Sequence, residues 1–150
     1  LIKKIGMQIM LLMKLEAREK FAFLQLAHYL ARADNNFGKD EEDIILDYCL
    51  EMGVENIDSF DVSKCDLEAI LKNFKSIRSR KIVILELMIL VHIDKVFNIN
   101  EQVLIEKIAK YFEISEKDMQ DFSAWGKSVA VLNEVAKVYI NDNYSQEMIS

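Results

Sequence analysis

"FLQLAHYLARADNNFGKDEEDIILDYCLEMGV", residues 23–54, decides the fold. Its first part carries Phe23, Leu26, Ala27, Leu30 and Ala33 at three-and-four spacing, the repeat of one helical face. An acidic, Asn-rich turn follows. A second helix then carries Ile44, Ile45, Tyr48, Cys49 and Met52 and stops at Gly53, which suits a left-handed cap, with Val54 behind it. Shifted by 60 residues, the stretch lies without a gap over "VILELMILVHIDKVFNINEQVLIEKIAKYFEI", residues 83–114. Asp34 falls on Asp94, Phe37 on Phe97, Glu41 on Glu101 and Ile45 on Ile105. Apolar matches are cheap between helices, but matching Asp, Phe and Glu inside a turn is not. The pattern therefore predicts a duplicated helix–turn–helix, with halves at 23–54 and 83–114. The second copy uses Leu87, Leu90, Val91 and Ile93, then Leu104, Ile105, Ile108, Ala109 and Phe112. Glu113 replaces the capping glycine, which predicts a weaker stop.

Outside the two halves the pattern is also helical. The 150 residues suit one domain, 1–150, and contain no proline and only four glycines, so long helices are uninterrupted. "DVSKCDLEAILKNF" (61–74) places Ser63 and Asp66 at capping-box spacing, and "SEKDMQDF" repeats it with Ser115 and Asp118. "SVAVLNEVAKVYI" (128–140) sets Val129, Leu132, Val135, Ala136 and Tyr139 on one face. Breaks are expected at "NIDSF" (56–60) and "AWGKS" (124–128). The sum is an all-α, single compact bundle of seven to eight helices. The opening "LIKKIGMQIMLLMKLEA" has two lysines before an apolar run but no clear small-x-small cleavage site, and reads as an amphipathic first helix rather than a signal peptide.

The acidic turns invite comparison with a calcium loop. An EF-hand needs glycine at its sixth position and a bidentate glutamate at its twelfth. Counted from Asp34 those positions are Lys39 and Ile45; counted from Asp94 they are Ile99 and Ile105. Both copies fail. Gly38 and Asn98 are acceptable helix N-caps, and Glu41 and Glu101 stand three residues later, where a capping-box glutamate reaches back to a backbone N–H. Phe37 and Phe97 fit as hydrophobic staples. Asp34 and Asp94 are less easily placed, because each ends a helix whose exposed carbonyls disfavour an anion. Loop N–H groups in an Asx-type turn, a nearby lysine such as Lys39 or Lys95, or a bound cation can compensate. Both readings, turn chemistry and a cation site, stay open on the residues alone.

"ADNNFGKDE" (33–41) and "IDKVFNINE" (93–101) resemble the motif of the TerB-like family: a helix ending in Ala-Asp-Gly, a hydrophobic residue two positions on, and a glutamate opening the next helix, twice per domain. The family is named for a tellurite-resistance protein and also occurs at the N-terminus of some membrane-anchored DnaJ-type co-chaperones. The resemblance covers about residues 20–115, with Asn35 and Lys95 in place of the motif glycine. It implies an all-helical domain of two related halves and a divalent-cation site (Ca, Mg or Mn) that would map to Asp34, Glu41, Asp94 and Glu101. Lys95 beside Asp94 makes the first copy the better candidate. The resemblance also implies a link to stress or metal-oxyanion resistance in assemblies near the membrane, and the favoured reading is a cytoplasmic, non-enzymatic domain that binds a protein partner.

Other function classes are poorly supported. A net charge of −6 argues against a nucleic-acid groove, and the basic run "KSIRSRK" (75–81) lacks interleaved aromatics and reads as a solvated face. The longest apolar run, "IVILELMILVHI" (82–93), is too short to span a bilayer and contains Glu86. Cys49 and Cys65 have no metal or redox spacing and read as reduced thiols, with one disulfide as the alternative. His28 reads as a boundary residue, His92 does not share a face with Asp94, and Met7, Met10 and Met13 form a stripe that suits core packing. A purely structural helical module is the alternative function, and a metal-dependent hydrolase a more distant one.

Overall fold

The computed structural model describes residues 11–33, 37–93 and 99–141. Among them are six α-helices and no strand: α1 Ala17–Ala31, α2 Lys39–Met52, α3 Leu67–Leu71, α4 Ile77–Ile93, α5 Ile99–Tyr111 and α6 Glu116–Ile140. Short 3-10 turns occupy Leu11–Lys14 and Val62–Lys64. Buried apolar side chains from all six helices form one cluster. The expected break at "AWGKS" is absent, and α6 runs through it; the expected first helix falls largely on residues 1–10, outside the described residues, and of its remainder Leu11–Lys14 form a 3-10 turn.

Helix α4 is the centre. Ile82, Val83, Ile84, Leu87, Met88, Ile89 and Leu90 are all buried. This stretch is apolar on nearly every side, Glu86 excepted, and so must be covered there; α1, α2, α5 and α6 pack against α4. Tyr48 of α2 is fully buried, sits edge-on to Phe23 at 5.0 Å, and donates its hydroxyl to the carbonyl of Glu86 on α4 at 2.9 Å. That bond satisfies the one polar atom a buried tyrosine brings with it.

Helix boundaries follow local chemistry. Gly38 caps α2 in an extended conformation, and Asp40, Glu41 and Glu42 place negative charge at its positive end. The helix stops at Gly53, φ 70°, with Val54 N–H donating to the Cys49 carbonyl at 3.0 Å. Glu113 holds the same left-handed conformation, φ 60°, and Ile114 N–H donates to the Ala109 carbonyl at 3.0 Å. The stop after α5 is thus the same turn, formed without glycine at a cost of roughly 1–2 kcal/mol. Adding 60 to the first residues of α1 and α2 gives the first residues of α4 and α5, Ile77 and Ile99. Ser115 caps α6 by accepting from Asp118 N–H at 3.1 Å. The cap of α3 is Asp66, which accepts from Glu68 and Ala69 N–H, and not Ser63, which lies in the preceding 3-10 turn with its own N–H donated to Asp61. A carboxylate that reaches two orphan donors outcompetes a serine placed one turn too early.

The sequence misplaces the core face of α6. Val129 is buried as expected, but Leu132, Val135 and Tyr139 are 55, 41 and 64% exposed. The inner face is Gly126, Val129, Ala130 and Asn133. Small residues win because α6 lies against the backbone of α4: a Cβ on Gly126 would stand 2.5 Å from Met88 Cβ and 2.8 Å from its carbonyl carbon. Gly126 is therefore a close-approach residue, where the sequence suggested a breaker.

That contact reverses an ordinary expectation. Glycine to alanine inside a helix normally stabilises by about 1 kcal/mol. Gly126→Ala should instead destabilise by roughly 1–3 kcal/mol, as overpacking does, read as a lowered urea midpoint. An unchanged or raised midpoint would show that α4 and α6 separate freely.

Candidate functional site

Of the four carboxylates singled out by the motif, Asp34 and Asp94 lie outside the described residues, as do Asn35, Asn36, Lys95, Phe97 and Asn98. Glu41 and Glu101 are described, and both are buried, at 7 and 4% exposure. Each is the third residue of its helix. A third glutamate shares this placement. Glu19 is the third residue of α1, is 7% exposed, and accepts from the backbone N–H of Glu16 at 2.9 Å. That is the backward reach of a capping box, and the sequence reading overlooked it because Glu16 is an unusual cap. Glu41 folds back likewise: its Oε2 would lie 3.0 Å from a Cβ on Gly38. A buried glutamate at this position thus opens three of the six described helices, α1, α2 and α5, and its burial alone does not call for a ligand. Among the described residues no three His, Cys, Asp or Glu side chains gather to hold a metal ion. The described carboxylates alone do not make a cation site.

What the fold does bring together is the flanks of the two turns. Ala33 and Phe37, flanking the first turn, and Asn100 and Leu104, following the second, line one open cleft of about 790 Å³ with Tyr29, Arg32, Phe60 and Ser63. Arg32 follows the last turn of α1, where a cation complements the exposed carbonyls. Its guanidinium lies 4.0 Å from the centre of the Phe37 ring and 5.6 Å from that of Phe60, a cation–π arrangement. No carboxylate among the described residues pairs with it. Asp61 also lines the cleft, but its Oδ1 accepts from both the N–H and the hydroxyl of Ser63.

Arg32 is held from behind by His28. Nη1 of Arg32 donates to His28 Nδ1 at 2.6 Å, and His28 Nε2 lies 2.8 Å from Asn56 Oδ1. Because a guanidinium only donates, Nδ1 must accept, so the ring is neutral with its proton on Nε2. His28 is 2% exposed and stacks on Phe60 at 5.3 Å. This corrects the boundary placement. One polar turn at its tip cannot outweigh the apolar shell that Phe37, Phe60 and α1 build around it. Burial, with Arg32 beside it, holds the imidazole below its ordinary 6.5 against the opposing bond to Asn56. Arg32 and Phe60 went unrecognised in the sequence. Arg32 offered only its spacing of four from His28, and Phe60 sits in a segment that reads as a mere break.

The other reactive groups are engaged or inert. His92 Nε2 lies 3.1 Å from Ser123 Oγ, and burial, then Lys127, lowers its pKa. Both cysteines are free, and burial pushes the Cys49 thiol up, which makes it a poor nucleophile. Met13 is 55% exposed and so not a core residue, while Met7 and Met10 lie outside the described residues. Within the basic run, Arg80 donates to the Phe74 carbonyl at 2.8 Å and covers the Phe112 ring. No helix among the described residues is long and apolar enough to cross a membrane. No family model matches the chain, and neither a curated protein nor a solved structure matches it.

The neutral His28 has a pH signature. Its folded pKa lies below the unfolded 6.5, so the unfolded chain binds the proton first as pH falls. The stabilisation is complete above the unfolded value and is lost as pH drops through the folded one. Melting temperature should therefore fall as pH drops below 6.5, and His28→Gln should flatten part of that slope; His92, lowered in the same sense, adds to it. A slope unchanged in His28→Gln would mean that the ring is not held neutral.

Proposed function

We propose that this chain is a non-enzymatic, TerB-like helical domain of two related halves, working as a protein-interaction module. The halves are supported by the gapless match at a 60-residue offset and by the coincident starts of α1 with α4 and α2 with α5. The matching left-handed stops at Gly53 and Glu113 support them further. The observation that carries the interaction reading is the cleft lined by residues that flank the two turns. Its walls are Tyr29, Phe37, Phe60 and Leu104, and its one cation among the described lining residues, Arg32, has no carboxylate partner there. Such a surface suits an extended protein segment that lays an apolar side chain on the aromatics and offers an oxygen acceptor to the guanidinium. A non-catalytic role is supported by His28, whose two ring nitrogens are both committed to Arg32 and Asn56 and leave no lone pair for a substrate. The resemblance adds the setting: a cytoplasmic stress or metal-oxyanion response, with a partner in a membrane-associated complex.

A peptide with an apolar anchor beside a carboxylate should shift the amide resonances of residues 29–33, 60–63 and 100–104 in an NMR titration. Arg32→Gln should weaken that binding about tenfold, the worth of a charge-assisted hydrogen bond, with far-UV circular dichroism unchanged. Shifts spread away from the cleft, or unaltered in Arg32→Gln, would refute the reading.

A second reading places a divalent cation where Asp34 joins Glu41 and Asp94 joins Glu101. The recurrence of an aspartate and a glutamate at matching positions of the two turns favours it. A cation bound only to the native state raises the melting temperature by mass action. Millimolar Ca²⁺, Mg²⁺ or Mn²⁺ should then raise it, Asp34→Asn should remove the rise, and Glu19→Gln should lower stability without touching the cation response. A curve indifferent to all three cations leaves the glutamates as helix caps only.

A further inference from the structure

Helix α6 is apolar on two opposite sides. Gly126, Val129, Ala130 and Asn133 face the bundle and are buried. Val131, Leu132, Val135, Val138 and Tyr139 are 52, 55, 41, 48 and 64% exposed. At about 100° per residue, these five fall within roughly 60° on either side of Val135, and Asn133 lies about 160° round the helix. The outer side is thus a continuous stripe at three-and-four spacing, the pattern of a helix-pairing seam.

We infer that the stripe is a self-association surface, on which α6 helices of two copies pair antiparallel about a two-fold axis at Val135. Size is the first argument. Five side chains at these exposures present on the order of 500 Å² of apolar surface, near the upper end of what a monomer leaves in one patch, and two copies together reach about the 1,000 Å² a specific interface needs. Charge is the second. From Lys127 to Asn141 the charged residues are Lys127, Glu134 and Lys137, and the last two pair within the helix at 3.4 Å. A chain of net charge −6 meets its own copy with least repulsion at such a face. Register is the third. An axis at Val135 sets Val131 level with Tyr139 of the second copy and Leu132 level with its Val138. By the angles above, the members of each pair fall on opposite sides of the seam, so large side chains sit beside one another while only the small Val135 meets its own copy head-on.

Sedimentation equilibrium of the full chain should show a monomer–dimer equilibrium in the micromolar range. Val135→Glu should raise the dissociation constant about 100-fold or more by burying two carboxylates face to face. Val135→Lys should do the same. Both variants should keep the wild-type circular dichroism, because Val135 is exposed in the single chain. An equimolar mixture of the two should dimerise again, since the axis sets position 135 against itself. A wild-type chain that stays monomeric overturns the proposal, as does a Val135→Glu chain that dimerises normally or a mixture that stays monomeric. A wild-type monomer that floats with anionic vesicles would assign the stripe to a lipid surface instead.

Discussion

The close approach of α6 to α4 organises the molecule. From Ile82 to Leu90, helix α4 is apolar on nearly every side, Glu86 excepted, so this stretch must be enclosed by other helices. Met88 meets α6 where Gly126 has no side chain, and that absence lets two backbones touch. The choice of glycine there fixes the rotation of α6 about its own axis. Val129 and Ala130 turn inward with Gly126, and the bulkier residues that a periodicity reading would bury turn outward. A glycine that looked like punctuation sets which surface the protein shows.

Where burial and chemistry pointed the same way, the sequence was legible. Ile44, Ile45, Tyr48, Cys49 and Met52 are all buried on α2, and Gly53 adopts the left-handed conformation its position demands. Ser115 was readable because a hydroxyl before an acidic first turn has one good use there. The failures share a cause, which is competition between two adequate local solutions. Residues 61–66 offer two caps, Ser63 and Asp66, and Asp66 wins because its carboxylate reaches two orphan N–H groups. Helix α6 has two apolar faces, and size at the contact, invisible to a pattern of apolar and polar letters, selects the narrower. His28 looked peripheral because Phe60, the ring that covers it, is 32 residues away in a connection without helical signal.

The repeated motif pointed to the turns but left their chemistry open. The turns were found from a repeated Asp, Phe and Glu, and Phe37 does line the cleft at which the flanks of both turns meet. The glutamate within that motif serves two masters. A carboxylate at the third helical position is what a helix start wants, and it is also what a cation wants. Glu19 separates the two uses, because it takes up the same buried, backward-reaching pose in a helix with no acidic turn before it.

Asn56 joins two regions that would otherwise be independent. Its Oδ1 lies against His28 Nε2 and also accepts from the backbone N–H of Ile57, each at 2.8 Å. The orientation of the Arg32 guanidinium and the shape of the non-helical connection after α2 are therefore a single degree of freedom. Anything that turns the guanidinium pulls on the imidazole, the amide and that stretch of main chain together. Opening that loop also breaks the bond that holds the imidazole behind Arg32, which ties it to the wall of the cleft. The conformational entropy of residues 54–60 is thereby coupled to whatever occupies the space in front of Arg32.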